Sequence, residues 1–440
     1  MRPPKPPSRP DRVSLLHHAR LFRRDILSAQ PARLYRAWMA EFRTPFFRSY
    51  LCNDPALVRR VLEERPDDFP KSDRIRAGLA PLLGNSVFVT NGEVWKRQRR
   101  IIDPAFAGGR LREIFPAIWA AGEAAVARQL IGVTEIEAAT SHAAADVIFR
   151  TLFSIPIEHE VASAVFHRFR DYQRTQPILN LAAFIPWLPR FHGRKTRAAA
   201  RDIRALIARL TEERAALIAA GHAPDDLATK IMTTPDPLTG AVFDTDEMVD
   251  QVAIFFLAGH ETSASALAWA LYLLAANPEA QERVAAEAQA LEPDFGTVRR
   301  LPFTRDVFRE TLRLYPPVPM MVRETTATED LRGRKAPKGA QIVLSPWHIQ
   351  RHERIWDRPD DFDPDRWQTD AAKASARDAY MPFSSGPRVC TGAGFAMMEG
   401  VLLLAMLVRA FRFEVVETPV PVAHLTVRAK DGIRLRVQPR

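Results

Sequence analysis

The sequence predicts a mainly α-helical fold with small β-sheets, built as one unit, and three observations carry that reading. Ala, Leu, Arg and Glu dominate residues 108–290, and apolar positions recur there at helical spacing. The β-like segments are few and short. No Pro-, Ser- or Gly-rich linker divides the chain and no internal repeat is visible, so one domain spanning residues 16–440 is expected.

In chain order, the opening run RPPKPPSRP is polar and Pro- and Arg-rich, and residues 1–15 are expected to form a disordered tail. Extended segments are predicted near 47–51 and 86–89. Long helices are predicted near 112–130, 142–154, 196–220 and 246–276. Pro224-Asp225-Asp226 and the PDPLTG run at 235–240 read as turns. Residues 301–317, LPFTRDVFRETLRLYPP, read as an amphipathic helix stopped by Pro316 and Pro317. Short strands are expected near 340–345 and within 411–437.

Composition narrows the function. The chain has 440 residues, enough to bury a large core around a bulky cofactor. Two cysteines, Cys52 and Cys390, make neither a disulfide framework nor a structural zinc site. The net charge of +10 is spread along the chain without a nucleic-acid motif, and a basic face for an acidic protein partner accounts for it. The N-terminus lacks the apolar core of a signal peptide. The longest charge-free runs, 77–92, 175–189 and 262–278, are shorter than a bilayer span, and the first two contain Pro81, Pro177 and Pro186. A cytoplasmic, soluble monomer without a transmembrane anchor is expected.

The strongest chemical signal is FSSGPRVCTG at 383–392, followed by a helical pattern. A cysteine near a helix start has its thiolate favoured by the helix N-terminus. Gly386 and Gly392 let the loop bend and bring backbone N–H groups near the sulfur, which moderates the charge it gives a metal. Arg388 can neutralise an anionic group beside the loop, and Phe383 can shield it from water. Cys52 has no such setting and reads as a small buried hydrophobe. The loop resembles the Phe-x-x-Gly-x-Arg-x-Cys-x-Gly ligand loop of the cytochrome P450 superfamily, with all five fixed positions present as Phe383, Gly386, Arg388, Cys390 and Gly392. The resemblance implies a P450 fold and heme b, with the iron held by the Cys390 thiolate.

Further segments resemble the same family in order and spacing. ETLR at 310–313 and PDRW at 364–367 imply a buried ion network of Glu310, Arg313 and Arg366, in which one carboxylate braces two planar guanidiniums. Where many relatives carry His-Arg between these motifs, this chain has Gln350-Arg351, a departure expected to matter little. WKRQRR at 95–100 places Trp95 and Arg99 on one helical face, where with Arg323 and Arg388 they would meet the haem propionates. Lys96, Arg97 and Arg100 are then left to dock an acidic electron donor.

AGHETS at 258–263 resembles the oxygen-activating stretch of the family's central helix. Small Ala258 and Gly259 would let that helix pass close above the iron. Glu261 and Thr262 would form an acid–alcohol pair, the threonine hydroxyl bonding its i−4 carbonyl and the acid connecting it to solvent. His260 is expected on another face. The substrate pocket implied by the resemblance draws on Leu79, Leu82, Leu83 and Val87, on Ile178, Leu179, Phe184 and Trp187, on Ile254 and Phe255, on Val318, Met320 and Met321, and on Leu425. All are apolar, which favours a fatty acid, terpenoid or aromatic substrate; Arg74 or Arg76 would meet any carboxylate.

The implied reaction is monooxygenation: one atom of O2 enters the substrate by hydroxylation or epoxidation. Electrons are expected from a separate ferredoxin, or a flavodoxin, with an NAD(P)H-dependent reductase, because the two cysteines cannot build an iron–sulfur cluster. Two alternatives differ in testable ways. A peroxide-driven relative would replace the acid–alcohol pair, commonly with Arg-Pro, whereas Glu261-Thr262 is retained. A haem-binding sensor would give the spectrum without turnover.

Overall fold

The computed structural model describes residues 1–44, 47–175 and 192–440. Its axis is the helix Thr245–Ala275, which starts at a capping box in which Asp244 and Glu247 satisfy each other's backbone N–H groups. Beyond its first turn it is apolar on nearly all sides, and such a helix belongs inside a core. It packs against Ile136–Phe153, Arg194–Ala219, Pro302–Leu314 and Ala393–Ala410. Among the described residues, Ala393–Ala410 alone is long and apolar enough to cross a membrane, and here it is a core helix covered by its neighbours.

The sheets are peripheral. A four-stranded sheet runs Met39–Arg43, Arg48–Cys52, Gln341–Leu344, Met321–Glu324, its middle pair parallel and its outer pairs antiparallel. A three-stranded sheet joins Gly132–Glu135 to Arg434–Pro439 and Phe411–Val415. Hairpins form at Glu329–Leu331 with Arg334–Ala336 and at Pro421–Ala423 with Val427–Ala429. The four long helices form where predicted, at Gly108–Arg128, Ile136–Phe153, Arg194–Ala219 and Thr245–Ala275, although the first two start more than a turn before the expected 112 and 142.

Two expectations are corrected. Residues 86–89 are not a strand but a turn, with Ser86 O accepting from Val89 N and Thr90 N. The β-branched pair Val87 and Val89 gives a strand-like alternation, but Val87 N donates to the side chain of Gln251 instead of a neighbouring strand. The N-terminal tail is packed against the body: Tyr315 OH donates to Pro4 O, Phe362 N to Met1 O, and Lys5 meets Asp360. Prolines have no N–H to satisfy, so this segment docks through carbonyls and charges, which composition alone does not register.

The Glu310 carboxylate ties the helix Pro302–Leu314 to the segment 357–366. Arg313 donates to both of its oxygens at 2.8 and 2.9 Å, and Arg366 and the Asp363 N–H share Oε1 at 2.9 and 3.1 Å. All three side chains are buried, and the guanidiniums spend their remaining donors on backbone carbonyls, including Gln350, Pro359 and Asp361. Gln350 is equally important: its amide donates to Leu312 O and Arg313 O, and its oxygen accepts from Met381 N, where the chain enters the cysteine loop. The departure at this position is thus a structural strut, a role separate from the expectation that nothing catalytic depends on it.

Removing the shared charge strands two buried cations. Glu310→Gln is expected to cost about 3–5 kcal/mol, measured by urea unfolding of the purified protein. A loss of about 1 kcal/mol or less, the range of exposed pairs, would contradict the brace.

Candidate active site

One cavity of about 860 Å³ is lined by residues from both ends of the chain. Cys390 opens onto it; the residue is exposed, but to this interior space. Its loop is closed by Cys390 N donating to Phe383 O at 2.9 Å and Val389 N to Gly386 O. Gly386 has φ +67°, and a Cβ there would stand 2.1 Å from Leu62 O, so glycine is required by backbone contact. Burial pushes the Cys390 thiol up, while the Gly392 N–H and the Arg99 charge pull it down.

Beside the cysteine lies a group of cations with too little anion. Arg99 donates to Val389 O at 2.7 Å and pairs with Asp103, which also accepts from Thr391. Arg388 donates to Pro66 O and Phe69 O, and its nearest carboxylate, Asp67, is 3.9 Å away. Arg323 is buried among them. The Nε atoms of Arg323 and Arg388 are buried without a hydrogen-bond partner. Lys71 joins the group: its ammonium is pushed down to about 6 by burial and then by the charges of Arg323, Arg388 and Arg99. Lys71, Arg99 and Arg388 all stand within 6 Å of the Trp95 ring centre. Orphaned guanidinium donors, a buried lysine beside three arginines and a facing thiol fit one group well, a haem with two propionates and an iron.

The central helix contributes Ala258, Glu261 and Thr262 to the same cavity. Ala258 is exposed there in the middle of a buried helix. Thr262 Oγ1 donates to Ala258 O at 2.5 Å, as the sequence predicts, and the helix continues unbroken. Gly259 also borders the cavity, and it has a further reason to be small: a Cβ there would stand 2.4 Å from Ile148 Cδ1, so it lets two helices approach. Glu261 does not point freely to solvent. It is buried, its Oε1 accepts from Thr426 Oγ1 at 2.5 Å, and it forms an ion pair with Arg428. His260 faces elsewhere, bonded to Ser141, its imidazole held down to about 3 by burial.

Most of the apolar residues named from the sequence line the cavity: Leu79, Leu82, Val87, Ile254, Phe255, Val318, Met320, Met321 and Leu425. Leu83 does not; it faces the core, fully buried. Ile178, Leu179, Phe184 and Trp187 lie outside the described residues. Arg74 and Arg76 both border the cavity. The proposed docking cations are engaged internally, Arg97 with Glu247, Arg100 with Asp236, and Lys96 with Glu93 and Asp67. Lys71, Thr426 and Arg428 were not foreseen; no local pattern marks them, because their partners are distant in sequence.

A thiol-bearing loop, an anion-hungry cationic group and an apolar cavity under a helix define a haem-dependent monooxygenase for hydrophobic substrates. The chain belongs to the cytochrome P450 family, whose model matches residues 37–435. It is 35% identical over 428 residues to cyclooctat-9-en-7-ol 5-monooxygenase of Streptomyces melanosporofaciens, covering 94% of this chain and 89% of that one. It is 32% identical to pentalenene oxygenase of Streptomyces avermitilis, covering 89% and 88%. The crystal structure of the cytochrome P450DA haem domain matches its fold with a TM-score of 0.82 at 23% identity, over 99% of this chain and 97% of that one.

Behind Thr262, Ser263 Oγ donates at 2.6 Å to Glu399, fully buried on Ala393–Ala410. Burial raises the Glu399 carboxyl to about 8. The folded protein therefore keeps a proton that the unfolded chain loses near the ordinary glutamate value. The stability tied to this group is complete below that value and is lost as pH rises toward 8. Glu399→Gln keeps the shape without titrating, so its Tm relative to wild type is expected to climb between about pH 5 and about pH 8. Parallel Tm–pH curves would contradict the buried acid.

Proposed function

We propose that this cytochrome P450 hydroxylates or epoxidises a terpenoid, using heme b ligated by Cys390. The observation that carries the reading is the single cavity that brings together Cys390, Thr262 and an apolar lining. The relatives named for cyclooctat-9-en-7-ol and pentalenene, both carbocyclic, favour terpenoids over fatty acids and simple aromatics. Bound heme b supplies oxygen activation, so that one atom of O2 enters the substrate and the other leaves as water at the expense of two electrons and two protons.

The residues of the chain do the rest. Lys71, Arg99, Arg323 and Arg388 would hold the two propionates, whose negative charges would offset the burial of these cations. The Gly392 N–H and Arg99 moderate the charge on the Cys390 sulfur. Ala258 leaves clearance over the site. Thr262 Oγ1 positions a water, and Glu261 passes protons toward it. Apolar walls from Leu79, Ile254, Phe255 and Met320 exclude bulk water and orient the substrate by shape. Electrons come from a separate acidic ferredoxin or flavodoxin and its NAD(P)H-dependent reductase; the net charge of +10 supports such a partner. We place the protein in the cytoplasm as a monomer.

The test is a titration of the ferric, haem-loaded protein with terpenoids, fatty acids, steroids and small aromatics, followed at the Soret band. Terpenoids are expected to give a saturable low-spin to high-spin shift. A shift with fatty acids and none with terpenoids would overturn the substrate class. Cys390→Ala is expected to lose the thiolate-type spectrum of the reduced carbonyl complex; retention of that spectrum would remove Cys390 as ligand. In Thr262→Ala, product formed per electron consumed should fall at least about tenfold, the lower part of what a positioned proton donor contributes, with the balance released as peroxide. Unchanged coupling would take Thr262 out of proton handling.

A further inference from the structure

The hairpin Pro421–Ala423 with Val427–Ala429 joins two parts of the site that the sequence presents as unrelated. Its two strands are bolted to the fold from several directions, including at the Ala423–Val427 pair next to the turn. Ala423 N donates to Asp25 Oδ1 and Ala423 O accepts from Ile26 N. Val427 N donates to Pro317 O, Val427 O accepts from Ser265 Oγ at 2.5 Å, and Ala429 N donates to Glu137. The turn His424–Thr426 between the strands is closed by His424 N donating to Thr426 O at 3.2 Å and, among the described residues, has no such ties to the body of the fold through its backbone. Leu425 at its tip is 45% exposed and borders the substrate cavity.

The next residue, Thr426, is buried and donates to Glu261 Oε1 at 2.5 Å. Arg428, two residues further, pairs with the same oxygen, and its side chain is 41% exposed. One carboxylate oxygen beside Thr262 is thus held by two groups of one hairpin, through charge-assisted bonds that are strong only at good geometry.

We infer that this hairpin couples filling of the cavity to the position of the Glu261 carboxylate, with Leu425 as the contact and Thr426 and Arg428 as positioning residues. The inference rests on the reading of Glu261 as the proton-handling acid. A substrate pressing on Leu425 cannot shift the bolted strands, so the displacement falls on the turn and first on Thr426. Loss of the Thr426 bond weakens the hairpin's hold on Oε1 and shifts the carboxylate toward Arg428, whose side chain is 41% exposed. Proton delivery then becomes available when the cavity is filled, and an empty cavity keeps the acid clamped.

Carbon monoxide is the probe, bound to the reduced, haem-loaded protein, because its infrared C–O stretch senses polar groups beside Thr262 without turnover. Arg428→Met and Thr426→Val should each shift and broaden the wild-type band, and Arg428→Lys should restore it. Leu425→Trp fills the tip position without touching the clamp and should produce the same shift in the absence of any substrate. A band unchanged in Arg428→Met overturns the clamp. A band shifted in Arg428→Met but unchanged in Leu425→Trp overturns the coupling. A wild-type carbonyl complex without the thiolate-type absorption would instead count against the haem-thiolate reading itself, so the two failures are distinguishable.

Discussion

A single buried carboxylate, Glu310, sets the frame on which the active site depends. It is shared by Arg313, Arg366 and the Asp363 N–H. From there the hydrogen bonds run unbroken to the metal-ligand candidate. Arg313 donates to Gln350 O, Met381 N donates to Gln350 Oε1, Ser384 N donates to Met381 O, and Cys390 N donates to Phe383 O. A thiolate ligand must be held in place against a strong metal bond, and a loop fixed at both its entry and its sulfur meets that need. Burying charge is costly unless every donor is satisfied, and the two arginines spend their donors on Glu310 and backbone carbonyls.

The opposite imbalance marks the cofactor side. Burial pushes Lys71, Arg323 and Arg388 toward losing their protons, the Arg388 charge adds to this at Arg323 and three arginine charges add to it at Lys71, and the Nε atoms of Arg323 and Arg388 have no hydrogen-bond partner. Such an arrangement is unfavourable for the protein alone and favourable once two carboxylates enter it. The ion network at Glu310 is complete in itself, whereas the group around Trp95 is complete only with a dianionic ligand. This contrast separates a structural charge cluster from a binding one on physical grounds.

What the sequence revealed follows the range of each interaction. The cysteine loop is legible because its chemistry is local: a helix start, two glycines and an arginine within ten residues. Glu310 and Arg313 are legible for the same reason, being one helical turn apart. The long helices follow from apolar periodicity. Lys71 escaped because its role comes from three arginines distant in sequence, and Thr426 and Arg428 because their partner Glu261 is more than a hundred residues away. Gly259 shows a residue with a second reason the sequence does not carry: it borders the cavity, and its missing Cβ also makes room for Ile148. Leu83 shows that an apolar residue beside a pocket is as readily core, since its neighbours Leu79 and Leu82 line the cavity and it does not. The packed N-terminus depended on anions at Asp360 and on Tyr315, which no reading of the first residues can supply.

The central claim is that Cys390 sulfur binds haem iron, and resonance Raman spectroscopy of the ferric protein reads that bond directly. The protein would be produced with heavy-sulfur cysteine. Only two cysteines are present, and Cys52 is fully buried in the sheet away from the cavity, so the label reports on Cys390. The account predicts an iron–sulfur stretching band that moves to lower frequency with the heavy isotope. A haem-loaded protein whose low-frequency bands are unaffected by the label would contradict it.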